Sequence, residues 1–229
     1  MKYALAFDLF GTLIKTNAIR HTLEDYVDEQ AGLFYNLWRN KQLEYSFRKT
    51  LMNFPADFSL CTKEALDYCC TAFDIYLSGR DKKNLLKQFS SLPSHQDVRE
   101  ALETAKTEGH KLYIVSNGNR DVITDLLHHN QLYSFFHDII SAQDVDAFKP
   151  APAIYEHFIQ KSGRPKEQCW LISSNSFDIL GAAQSGLNTM WIQRSSENIF
   201  DPWDIQPSSV IGTLAELTEE LNSYVEDQG

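Results

Sequence analysis

Tyr3-Ala4-Leu5-Ala6-Phe7-Asp8-Leu9-Phe10-Gly11-Thr12-Leu13 is the stretch whose reading decides the fold. It joins a short apolar run that reads as a buried strand, a single carboxylate at the end of that run, and a Gly-Thr turn that exposes the carboxylate. Open α/β sheets place their ligands at the carboxyl ends of such strands, so Asp8 is the candidate for chemistry. Taken alone, an Asp after an apolar strand serves equally as a turn former or a helix N-cap. The surrounding chain has to decide between the two roles.

Downstream, residues 16 to about 91 carry a helical pattern with no strand-like runs. Apolar residues fall at three and four spacing in Leu33-Leu37, Leu43-Phe47-Leu51 and Leu66-Cys69-Cys70-Phe73. Pro55 breaks this region into at least two helices, the second capped by Ser59 or Thr62. After Pro93 the pattern alternates. A helix at 98–109 is followed by a strand at 111–115, a helix at 121–129 by a strand at 137–141, a helix at 153–162 by a strand at 169–172, and a helix at 177–185 by a strand at 189–192. A last helix is expected at 213–224, and the acidic end, 226–229, is expected to fray. No internal repeat is present. Alternating units of this length imply an α/β protein with a Rossmann-like parallel sheet and helices on both faces. On this reading residues 1–15 and 92–229 form the core, and residues 16–91 are an inserted helical cap.

Bulk properties narrow the partners. A formal charge of −10 over 229 residues argues against a nucleic-acid footprint, which needs a basic face. An acidic enzyme with an anionic substrate must then concentrate positive charge locally, which draws attention to any Lys or Arg near Asp8. The 43% hydrophobic and 23% charged content is that of an ordinary globular protein. No apolar run approaches the 18 or so residues of a membrane span, and Met1-Lys2 leads straight into the strand without a signal-peptide core. A cytoplasmic protein with no membrane partner is expected. Cys61, Cys69, Cys70 and Cys169 lack CxxC spacing and metal-site grouping, so reduced thiols are expected. The seven histidines form no metal motif, and no metal is expected.

In a parallel sheet the strand ends gather on one rim although they are far apart in sequence. Those ends carry Asp8 and Thr12, then Ser116 and Asn117, then Lys149, and finally Ser173, Ser174, Asn175 and Asp178. The set suits a nucleophile held ionised in a polar, anion-binding site.

These residues resemble a known family. The DLFGTL run at 8–13, SNG at 116–118, the lysine of Phe148-Lys149-Pro150 and SSNSFD at 173–178 look like the four motifs of the haloacid dehalogenase superfamily. Residues 37–45, LWRNKQLEY, and the spacing of Lys149 to Tyr155 resemble more narrowly the L-2-haloacid dehalogenases. The resemblance runs from about residue 2 to 194. It implies a cofactor-free hydrolase that converts short (S)-2-haloalkanoic acids to (R)-2-hydroxy acids through an aspartyl ester, with inversion at C2.

The resemblance also distributes roles. Asp8 is the nucleophile, and Lys149 holds it ionised, since a nearby cation lowers a carboxylate pKa by roughly 1 to 3. Ser116, with the backbone N–H groups that follow it, cradles the substrate carboxylate, assisted by Asn117 and Lys149. Thr12 and Ser173 orient Asp8 and Lys149, while Asn175 and Asp178 position the lysine and the hydrolytic water. Tyr155 is counted among the catalytic residues. Arg39 receives the departing halide, with Asn40 nearby. Phe10, Leu43, Phe58 and Phe177 line an apolar pocket. Phe10 stands where the family frequently has Tyr and Phe177 where it has Trp, so chain-length preference does not carry over. The family is often dimeric, and Phe34, Tyr35, Leu37 and Trp38 could supply a self-complementary patch.

Three other readings stand beside this one. Mg²⁺-dependent phosphatases of the superfamily usually carry an acid two residues after the nucleophile, where this chain has Phe10. They also carry an acidic pair in the fourth motif, where Ser174 leaves only Asp178. A related hydrolase could act on another 2-substituted carboxylate such as azetidine-2-carboxylate. A binding protein would have no need of a carboxylate beside a lysine.

Overall fold

A computed structural model describes residues 2–227. Six strands form one parallel sheet: β1 (Ala4–Phe7), β2 (Lys111–Ser116), β3 (Asp138–Ser141), β4 (Cys169–Ser173), β5 (Asn188–Ile192) and β6 (Ser209–Ile211). Their spatial order is β3-β2-β1-β4-β5-β6. Every residue of β1 is buried, because this central strand has β2 and β4 at its sides and helices over both faces. That explains its unbroken apolar run. From β1 the chain winds outward to β2 and β3, then returns to the other side of β1 to lay down β4. The switch point therefore lies at the carboxyl ends of β1 and β4.

Helix α1 (Arg20–Val27), α2 (Ala31–Leu51), α3 (Phe58–Ala72) and α4 (Gly79–Gln88) all fall between β1 and the helix that precedes β2. The chain leaves and re-enters the sheet region by two segments that run side by side: Lys15 N–H donates to Pro93 C=O at 2.8 Å and His95 N–H to Leu13 C=O at 2.9 Å. Helices α5 (Val98–Thr107), α6 (Arg120–His129), α7 (Pro152–Ser162) and α8 (Ser176–Gln184) make the crossovers, and α9 (Leu217–Asp227) packs beside α5. Right-handed crossovers put the helices of the outward and return windings on opposite faces of the sheet.

The main departures from the sequence expectation have local causes. α2 buries Ala31, Phe34, Trp38, Gln42 and Ser46, whereas Leu33 and Leu51 are 67% and 83% exposed. Its buried stripe carries two polar residues: Ser46 Oγ donates to Leu43 C=O of its own helix at 2.7 Å, and Gln42, with Trp38, docks on polar atoms of α3. Trp38 Nε1 donates to Thr62 C=O at 2.8 Å, and Gln42 Nε2 to Thr62 Oγ1 at 2.5 Å. An apolar-spacing rule cannot see such a stripe. Phe34 and Trp38 are consequently core residues of the single chain and offer no patch to a second copy. The cap of α3 is Asp57, whose carboxylate accepts from Leu60 N–H at 3.0 Å, and not Ser59 or Thr62. Strand β6 was not expected: it is three residues long with its middle residue exposed, too short to show a period. The last helix starts at Leu217, after a 3-10 turn at Leu214–Glu216 capped by Thr213, and continues through Asp227. The expected fraying at Gln228 and Gly229 lies outside the described residues.

Candidate active site

Asp8 leaves β1 at the switch point with its N–H on Ile172 C=O at 3.0 Å, and it is 6% exposed. Gly11, at φ +90°, makes the turn that brings Thr12 back over it. Both carboxylate oxygens are held by donors. Thr12 Oγ1 donates to Oδ2 at 2.7 Å and Asn175 Nδ2 to the same oxygen at 2.8 Å, while Lys149 Nζ donates to Oδ1 at 3.0 Å. Asn175 reaches Asp8 from the N-cap position of α8, just past β4, so the pair spans the switch point. Asn175 Nδ2 also lies 3.2 Å from Phe10 C=O.

Lys149 is 1% exposed and stands between two carboxylates, with Nζ 2.8 Å from Asp178 Oδ2. Burial pulls its pKa down, but the charges of Asp178 and Asp8 outweigh burial and leave it above the ordinary lysine value. Asp178, fully buried, is raised by burial, opposed by Lys149 and raised again by Asp8. Tyr155 OH donates to Asp178 Oδ1 at 2.8 Å and completes the chain Asp8–Lys149–Asp178–Tyr155. Burial, then Asp178, holds the phenol well above its usual range, so it remains a donor.

Ser116 and Asn117 end β2 on the same rim, both buried. Ser116 Oγ accepts from Gly118 N–H at 3.1 Å. Asn117 Oδ1 accepts from Lys149 N–H at 2.7 Å, which pins the backbone of the lysine. Asn117 thus acts on Lys149 through its main chain. Ser173 departs from its expected role in the same way: its Oγ accepts from Asn175 N–H at 3.1 Å and makes no bond to Lys149. Position 173 fixes the loop that presents Asn175, because a serine at a strand end captures the N–H two residues on more readily than a distant side chain.

From the inserted helices, α2 presents Arg39. Its Nη1 donates to Gln42 Oε1 at 2.5 Å, and Gln42 is anchored on α3 through Thr62. Burial lowers the guanidinium pKa, with Tyr35 and Asp8 opposing, so Arg39 lies within the field of Asp8. Asn40, one residue on, is exposed, and its side chain makes no hydrogen bond among the described residues. A helix step of about 100° carries it off the face that Arg39 occupies.

Two clefts open beside the loops that carry Phe10 and Asn175, and Asp8 lines neither. One, of about 360 Å³, is bounded by Phe10, Phe58, Gln42 and Phe89; the other, of about 660 Å³, by Asn175, Leu43, Phe177 and Tyr35. Phe10 and Phe58 face each other at 6.1 Å between ring centroids, and Phe177 packs edge-on against Phe47 at 5.2 Å. The four expected apolar residues therefore divide into two pairs, one on each cleft. Gly118 permits the first arrangement: a Cβ there would lie 2.8 Å from Phe10 Cε2. Sequence reading missed Gln42 as the support of Arg39, and it placed Ser174 on the rim without a role, although Ser174 N–H donates to Thr12 Oγ1 at 2.9 Å. The polar residue three positions after Arg39 was the available signal for Gln42.

Similarity to known proteins agrees with this geometry. Residues 3–186 match the family model for haloacid dehalogenase-like hydrolase. The (S)-2-haloacid dehalogenase of Pseudomonas putida is 31% identical, covering 95% of each chain, and that of Pseudomonas fluorescens is 32% identical, covering 94% of each. A solved dehalogenase superposes with a TM-score of 0.91 at 30% identity over 96% of both chains. The L-2-haloacid dehalogenase of Xanthobacter autotrophicus, solved with chloropropionic acid covalently bound, shares the fold at a TM-score of 0.91 and 24% identity over 97% of this chain and 99% of that one. With the family model matched over residues 3–186 and relatives above 30% identity along nearly the whole length, the chain belongs to the haloacid dehalogenase-like hydrolase family.

Proposed function

We propose that this hydrolase is an (S)-2-haloacid dehalogenase acting on short L-2-haloalkanoic acids. The observation that carries the reading is the ammonium of Lys149 lodged between Asp8 and Asp178 at 3.0 and 2.8 Å. The ammonium fixes Oδ1 of Asp8 in place, as a directed attack on carbon requires. Phe10 supports the same reading, since its ring has no proton to give to a leaving alcohol.

Asp8 Oδ2 accepts two donors and Oδ1 one, so Oδ1 has the freer lone pair and is the attacking atom. It forms a bond to C2 as the C–halogen bond breaks, and the halide leaves with the bonding electrons toward Arg39. Ser116 and the N–H groups after it hold the substrate carboxylate. Water then adds to Cγ of the ester, the hydroxy acid departs, and Asp8 keeps one solvent oxygen. In this reading residues 16–91 work as a cap over a core of residues 1–15 and 92–229, and supply Arg39, Leu43 and Phe58. A cytoplasmic enzyme that works without cofactor belongs to the same reading, and a homodimer would have to use a face other than Phe34 and Trp38.

A single turnover in ¹⁸O-water is the test. Label in the Asp8 carboxylate with none in the hydroxy acid is the expected result. Label in the hydroxy acid alone would mean direct displacement by water and would remove Asp8 as nucleophile. Halide release is expected to be unaffected by EDTA, and light scattering decides the number of chains.

A further inference from the structure

The loop from Asp8 to Ile14 carries the nucleophile and the threonine that orients it, and five of its seven carbonyls have an identifiable partner. Leu9 C=O accepts from Leu13 and Ile14 N–H at 3.0 and 2.9 Å, Leu13 C=O from His95 N–H, and Ile14 C=O from Gly11 N–H at 2.9 Å. Phe10 C=O accepts from Asn175. Thr12 C=O alone is taken by a charged side chain: Arg194 Nη2 donates to it at 2.8 Å. Thr12 is fully buried, so without Arg194 this carbonyl would be a buried acceptor with no partner.

Arg194 follows the end of β5 and is itself held from behind. Its Nη1 donates to Asp97 Oδ2 at 2.5 Å, and the same oxygen accepts from Thr213 Oγ1 at 2.7 Å and Leu214 N–H at 2.8 Å. Asp97 directly precedes α5, where an Asp ordinarily caps the helix, yet its side chain makes no cap bond. An arginine and an aspartate free to choose their geometry form two parallel bonds. Here Asp97 Oδ1 and Arg194 Nε have no partner, so the pair forgoes its second bond. What it gains in exchange is reach, to Leu214 on one side and to the Thr12 carbonyl on the other.

We propose that Arg194, seated by Asp97, is a positioning residue for the nucleophile: it fixes the Thr12 peptide so that Thr12 Oγ1 stays on Asp8 Oδ2. The clamp joins the nucleophile loop, the cap-to-core return segment and the start of the C-terminal helix at one guanidinium. Arg194 borders the larger cleft, but its guanidinium is committed to the Thr12 carbonyl and to Asp97. It acts by holding the carboxylate in the orientation that in-line attack demands, where small errors of placement are costly in rate. The proposal rests on the dehalogenase reading.

The test compares halide release from (S)-2-chloropropionate by the wild type, Arg194→Met, Arg194→Lys and Asp97→Asn, each with its melting curve. Arg194→Met is expected to lose at least about tenfold in kcat with KM within about twofold of wild type, and its pre-steady-state halide burst to slow in parallel. Arg194→Lys, which keeps one donor for the Thr12 carbonyl, should recover part of the loss, and Asp97→Asn should fall between. Melting temperature reports separately on folding. If Arg194→Met does not fold, the other two variants carry the test at a temperature well below their transitions. Wild-type kcat in the folded variants, whatever their melting temperatures, would show a purely structural ion pair and overturn the proposal. Absence of halide release by the wild type would instead sink the dehalogenase reading.

Discussion

Replacing Lys149 by Met removes the cation that stands between two buried carboxylates. Asp8 keeps its bonds from Thr12 and Asn175, but Asp178 Oδ2 loses its ammonium and is left with Tyr155 on the other oxygen. Breaking one partner out of a buried ion pair costs about 3–5 kcal/mol, because the remaining charge is buried without compensation. For a chain of this size about 1 kcal/mol moves the melting temperature by roughly 2–4 °C, so the variant should melt about 6–20 °C lower at pH 8. The sign of the pH dependence follows from Asp178. Its pKa is already raised by burial and by Asp8, and Lys149 opposes that rise. Without the lysine the folded state binds that proton still more tightly than the unfolded chain does, so destabilisation grows as pH rises above about 3.9 and shrinks as pH falls toward it. Adding Asp178→Asn removes the uncompensated charge while Tyr155 retains a partner. The double variant should therefore regain most of the lost stability although it has no activity. Urea unfolding at pH 5 and pH 8, with unchanged denaturant slopes, measures both effects. A Lys149→Met protein as stable as wild type at pH 8, or a double variant destabilised by the sum of the single ones, would refute the buried-charge reasoning.

Other consequences can be measured directly. Lys149 is raised above its ordinary value, so its contribution to stability is complete below about pH 10.4 and is lost only as pH climbs through the higher folded value; the alkaline limb of kcat/KM should lie above the usual lysine range. Gly118→Ala would put a Cβ 2.8 Å from Phe10 Cε2 and 3.2 Å from Ile123 Cγ1, which should cost about 1–3 kcal/mol in denaturant unfolding and raise KM as Phe10 shifts. Gln42→Ala frees Arg39 from its support on α3 and should lower kcat about tenfold or more, read as initial halide release. All four cysteines are buried, with burial pushing Cys61 up to about 11 and Cys69 to about 12; an aromatic disulfide reagent at pH 8 should find no reactive thiol in the native enzyme and four after denaturation.

The places where sequence reading stopped share a physical character. Asp8, Lys149 and Asp178 were legible because a parallel sheet brings its strand ends to one rim whatever the intervening length. Thr12 was legible because it lies one turn beyond the nucleophile. The roles of Asn117 and Ser173 were not legible, because a short polar side chain at a strand end has several nearby backbone groups to choose from. Only the path of the Lys149 segment and of the loop after β4 decides which it takes. Asn40 was expected at the site through its neighbour Arg39, and helix rotation turned it outward. On α2 the apolar pattern pointed to Leu33 and Leu51, which are exposed, since two of the stripe's anchoring positions are polar.

The sequence by itself determined the alternation that builds the sheet, the carboxylate at its switch point, the lysine proposed to serve it and the family to which the chain belongs. These depend on local periodicity and on residue chemistry, which a linear string records. The tertiary structure decided which donor meets which oxygen: Asn175 beside Thr12 on one side of Asp8, Lys149 on the other, and Arg194 reaching the Thr12 carbonyl from 182 positions away. A hydrogen bond is settled within a few tenths of an ångström, and segments this distant approach that closely only once the whole core has packed.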